Sequence, residues 1–144
     1  MYTKQSELGR FGQRWGCYAT SLLNVLECEL GRKLTRFERC ACIGAWVVSE
    51  NVWISNYKNH LLLNSEKRGW SEDSDPEWHF YVRRQLDALM DIARVLGIGT
   101  PRGKYEILKM RTEYGDHFVL RVDGGEIINP DPTLTGEIVE VRKI

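Results

Sequence analysis

The spacing of apolar residues changes once along this chain, and that change limits what the chain can fold into. Up to Leu96 the apolar side chains recur at helical intervals; from Tyr105 onward they follow the period of strands. Ala19, Leu22, Leu23, Leu26 and Leu30 mark one buried face of a helix over about 16–30, with Gly31 as its C-terminal cap. Thr35 and Glu38 form a capping box that opens a second helix, over about 36–50, which carries Phe37, Cys40, Ile43, Ala45, Trp46 and Val47. Asp75-Pro76-Glu77 starts a third, with Trp78, Val82, Leu86, Leu89, Ala93 and Leu96 inward and Gly97 at its end. Residues 1–15 read as a loop or extended entry. Between 51 and 75 the pattern supports only a short helix or strand near 59–64 and a surface loop through 71–74.

Four strands follow, over 105–110, 117–122, 126–129 and 136–141, with hairpin loops at 113–116 and 123–125. Helices first and an antiparallel sheet second is an α+β order. A chain of 144 residues has room for one core, so a single domain over 1–144 is expected.

Charge excludes some partners. Lysine plus arginine and aspartate plus glutamate each number 20, so no global field draws the chain to nucleic acid or to a lipid surface. No apolar run has the length of a membrane span, and Met1-Tyr2-Thr3-Lys4-Gln5-Ser6 lacks the apolar core of a signal peptide. The expected location is the cytoplasm, where Cys17, Cys28, Cys40 and Cys42 are reduced thiols. Cys17 and Cys28 are separated by about 16 Å along one helix and cannot bridge. Cys40-Ala41-Cys42 with His60 and His79 lacks the knuckle spacing of a zinc site, and no metal or cofactor is expected.

Cys17 is the residue that points to chemistry. Gly16 precedes it, and the first turn of an apolar helix offers unpaired N–H groups and the positive end of the dipole, both of which favour a thiolate. A nucleophilic cysteine needs a base, and the base needs an orienting group. Of three histidines, His117 opens a hairpin strand, and the next strand ends in Asn129-Pro130-Asp131-Pro132. A tight hairpin returns Asn129 or Asp131 to the side of His117.

A cysteine on a helix, a histidine on a strand and an Asp or Asn after the next strand resemble the papain-like cysteine peptidase superfamily. The likeness is greatest to the compact bacterial branch that includes the bacteriocin-leader (double-glycine) peptidases. Gln13, Cys17, His117-Phe118-Val119 and Asp131-Pro132 carry the resemblance, which covers 11–30 and 105–141. It implies a papain-like core with the cysteine helix packed on a C-terminal antiparallel sheet. Cys17 would be the nucleophile, His117 the base and acid, Asp131 the orienter, and Gln13 an oxyanion donor beside the Cys17 N–H. The family glutamine commonly stands about six residues before the cysteine; Gln13 stands four before it. Asn129 competes with Asp131, because the papain branch uses asparagine.

The function so implied is hydrolysis of an amide bond in a peptide or protein, by a monomer without cofactor. The rivals are a cell-wall amidase or endopeptidase of the same fold, encoded by a bacterium or phage, and acyl transfer to an amine. A catalytically silent papain-like module that acts by binding is the alternative of another class.

Overall fold

The computed structural model describes residues 2–8, 16–49, 90 and 93–144, of which 46–49 by their backbone alone. Two helices come first: α1 over Cys17–Leu30 and α2 over Arg36–Ser49. A four-stranded antiparallel sheet follows, built from β1 (Tyr105–Thr112), β2 (Gly115–Val122), β3 (Glu126–Ile128) and β4 (Glu137–Lys143). Its strand order is β3-β2-β1-β4, so both neighbours of the β1–β2 hairpin come from the chain that follows it. This is mixed helix and antiparallel sheet, as the change of period predicts. Among the described residues no helix is long and apolar enough to cross a membrane.

Helix α1 ends at Gly31, which takes the left-handed φ of 68°. The capping box of α2 is formed: Glu38 N–H donates to Thr35 Oγ1 at 3.2 Å, and Thr35 N–H donates to Glu38 Oε1 at 2.9 Å. Residue 90 and residues 93–96 are helical and lead to Gly97, as expected of the third helix. The rest of that helix, the element expected near 59–64, and Gln13, Trp15, His60 and His79 lie outside the described residues.

The hairpin loop after β1 is shorter than expected. Asp116 belongs to β2 and pairs with Arg111, so only Glu113 and Tyr114 connect the strands. A register shift beside Met110 separates the two halves of the β1–β4 pairing. Gly136 leads into β4 with its Cα so close to β1 that a Cβ there would lie 1.9 Å from the Arg111 carbonyl oxygen. Only glycine allows β4 to begin at this point.

Alternation along the strands divides the core. Tyr105, Ile107, Phe118, Leu120 and Ile128 face α1 and join Leu22, Leu23, Val25 and Leu26 in one apolar cluster. Leu108, Met110 and Val119 make a smaller cluster on the opposite face. Helix α1 is not amphipathic in outcome: every residue from Cys17 to Glu27 is buried, polar ones included. Burial of a polar side chain is tolerated where it finds a hydrogen-bond partner. Thr20 Oγ1 donates to Gly16 O at 2.7 Å and Ser21 Oγ to Cys17 O at 2.9 Å. Asn24 Nδ2 donates to Thr3 O and to Glu27 Oε1, and Glu27 accepts the Thr3 N–H from the N-terminal segment, which crosses the helix there; Asn24 Oδ1 is buried without a hydrogen-bond partner.

Candidate active site

Cys17 is the first residue of α1, and the ladder of the helix begins with Thr20 N–H donating to Gly16 O at 2.8 Å. An α-helix leaves its first N–H groups without intrahelical partners, so the thiol stands at the electropositive end of the helix. It is buried, with 8% of its surface exposed.

His117 lies on β2 opposite Met110 and is 2% exposed. Its Nε2 is 2.7 Å from Asn129 Oδ1. The orientation of that amide is set from its other end, because Asn129 Nδ2 donates to Leu134 O at 2.9 Å. Asn129 Oδ1 also accepts the Asp131 N–H at 3.0 Å. An acceptor oxygen at Nε2 requires the proton to be on Nε2, so in the neutral ring Nδ1 is the basic nitrogen. Burial pushes the His117 pKa below its ordinary value; the Asn129 bond and the charge of Asp131 oppose that shift.

The side chain hydrogen-bonded to the imidazole is therefore Asn129, the competing candidate, and not Asp131 as expected. Asp131 Oδ1 instead accepts the Thr133 N–H at 3.1 Å and the Thr133 hydroxyl at 2.6 Å, closing the turn after β3. The reason lies in strand alternation. Ile128 faces α1, so the next residue turns to the face on which His117 stands. The Asp131 charge favours the charged ring, against the larger effect of burial.

The start of β2 is also where α1 docks. β3 pairs with β2 only along Leu120–Val122, so among the described residues the β2 edge beside His117 and Phe118 has no strand partner. The first turn of α1 occupies that place. Tyr18 meets Phe118 edge-on with ring centroids 5.2 Å apart, and the Ser21 hydroxyl reaches the Phe118 carbonyl at 3.4 Å. Cys17 precedes Tyr18 and His117 precedes Phe118 in the chain. Cys17 belongs to the α1-facing cluster, while His117 shares the opposite face with Met110.

The remaining thiols differ from Cys17. Cys42 is fully buried, which pushes its pKa up to about 12, and Cys28 is raised by burial as well. Cys40 is exposed on α2.

One buried carboxylate was not singled out by the sequence. Glu27 Oε1 accepts the Thr3 N–H at 2.8 Å and the Asn24 amide at 2.8 Å; Oε2 accepts the Thr3 hydroxyl and the Leu34 N–H, each at 2.8 Å. Its one signal was position, since it follows Leu23 by four residues on an apolar helix.

Comparison of the chain with family models, with curated proteins and with solved structures found no match.

Proposed function

We propose that this protein is a thiol-dependent hydrolase of amide bonds in a peptide or protein, acting through Cys17, His117 and Asn129 on a papain-like core. The observation that supports this reading is the buried His117–Asn129 pair, which leaves Nδ1 as the basic nitrogen of the ring, in a chain whose Cys17 opens α1. In the proposed reaction, His117 Nδ1 accepts the thiol proton, and the thiolate attacks the substrate carbonyl. N–H groups of the first turn of α1 stabilise the oxyanion, with Gln13 as the proposed side-chain donor. His117 then protonates the leaving amine, and water clears the thioester with His117 again as base. Asn129 maintains the ring's tautomer, and Asp131 favours the imidazolium by its charge. No step calls for a cofactor, and the cytoplasm is the proposed setting.

The burial of both Cys17 and His117 favours a second reading, a catalytically silent module of the same fold. One experiment separates the two. Iodoacetamide labelling of Cys17 is followed by mass spectrometry as a function of pH, in the parent and in His117→Ala. A hydrolase gives labelling well below the ordinary thiol pKa of about 8.5, lost with His117. A silent module gives an ordinary thiol profile, indifferent to His117.

A further inference from the structure

Residues 2–8 carry no group used in the proposed reaction, yet they are bonded both to the helix that begins with Cys17 and to the turn that holds Asn129. At one end Thr3 is clamped onto α1. Its N–H and its hydroxyl go to the two oxygens of Glu27, and its carbonyl accepts the Asn24 amide at 3.1 Å. Two residues on, Gln5 N–H donates to Pro130 O at 2.9 Å. Pro130 follows Asn129, whose Oδ1 is the partner of His117 Nε2. Gln5 then enters a single 3-10 turn, over Gln5–Glu7, that ends in the buried Leu8. Thr3 and Gln5 are 1% and 5% exposed, so this strap is built into the core and does not lie loosely upon it.

We infer that the strap Thr3–Gln5, tied down by Glu27, is a positioning element for the His117–Asn129 pair. Its Gln5 N–H holds the Pro130 carbonyl and so determines where Asn129 presents its oxygen. The physical need is plain. β3 ends at Ile128, so among the described residues no strand pairing fixes 129–131 against β2. Within the turn itself, Asn129 and Leu134 brace one another, which sets the amide's rotation but not the distance of the whole turn from His117. The strap supplies that second anchor from α1, the helix that begins with Cys17. Thiol and base are thereby referred to one rigid element, an arrangement that catalysis by an oriented pair requires. A role in positioning for catalysis rests on the hydrolase reading; the mechanical link does not.

The test removes one N–H. Gln5→Pro deletes the donor to Pro130, and the extended backbone of Lys4 (φ −100°, ψ 152°) is the conformation that a following proline favours. Gln5→Ala removes the same side chain and keeps the N–H. The readout is the imidazole Nε2 proton of His117, followed by NMR in nitrogen-15-labelled protein through its exchange with water. The parent and Gln5→Ala are expected to show a slowly exchanging Nε2–H. Gln5→Pro is expected to exchange about tenfold faster or more, which is the opening of the pair expressed as a rate. Exchange in Gln5→Pro equal to that in Gln5→Ala would overturn the inference. If Gln5→Pro does not fold, Thr3→Val takes its place, losing one bond to Glu27 and keeping the shape. Faster Nε2–H exchange there supports the strap, and parent-like exchange overturns it. Cys17 labelling in the parent reports separately on hydrolase chemistry, so failure of one reading is not mistaken for failure of the other.

Discussion

His117 Nε2 and Asn129 Oδ1 are 2.7 Å apart, and the amide that holds the ring is itself held by the Leu134 carbonyl. An amide pinned at its nitrogen can offer only its oxygen to the imidazole. That sequence of bonds decides the tautomer, which no property of histidine alone would do. Asn129→Ala is therefore expected to slow any Cys17-dependent hydrolysis or alkylation at neutral pH by about tenfold to a hundredfold. Removal of the base itself should cost about 10²–10⁴. Asp131→Asn keeps the backbone N–H to Asn129 and loses only charge, so its effect should be about threefold or less. Second-order rate constants for thiol labelling measure all three, and a larger loss in Asp131→Asn than in Asn129→Ala would return the orienting role to Asp131.

Stability should also report on His117. Its folded pKa lies below 6.5 because burial opposes the charged ring. The unfolded chain therefore binds a proton that the folded chain refuses, and stability rises with pH wherever that is so. The contribution is fully present above 6.5 and is lost as pH falls from there through the folded pKa. Urea midpoints between about pH 8 and about pH 5 should decline in the parent more steeply than in His117→Gln. Identical slopes would show that the imidazole is not buried in solution.

Glu27 is the most consequential polar residue of the core. Glu27→Ala would leave the Thr3 and Leu34 N–H groups buried without their acceptor, at about 1–3 kcal/mol each. The expected loss is at least about 2 kcal/mol by urea denaturation. Glu27→Gln, which keeps one acceptor oxygen, should lose less. Equal losses would mean that volume and not hydrogen bonding matters at this position.

Gly136→Ala tests the approach of β4 to β1. The added Cβ would fall on the Arg111 carbonyl, a backbone atom that cannot step aside. A loss of about 1–3 kcal/mol is expected, the range for forced overpacking. Amide exchange should accelerate first along Glu137–Lys143. A neutral result would show that the start of β4 adapts.

Much of the architecture was legible because it rests on local chemistry. Gly31 ends α1 where the apolar spacing stops, and Thr35 and Glu38 cap α2 as their separation of three requires. Apolar residues and turn signals located the strands, though Asp116 joined β2 because a two-residue loop suffices to reverse the chain. The order of Cys17, His117 and the Asn129–Asp131 turn was likewise readable, and with it the two candidate orienters. Choosing between them was not. That choice depends on where β3 stops pairing and on the capture of the Asp131 carboxylate by Thr133, a competition among groups brought together only by folding. Glu27 and Thr3 are a sharper case, for they are 24 residues apart and meet only when the N-terminal segment packs on α1. Sequence by itself determined the elements, since helix and strand periods and caps act between near neighbours. Tertiary structure alone decided which polar groups meet in the core, because a buried hydrogen bond is settled by what is left to satisfy it after the apolar faces have closed.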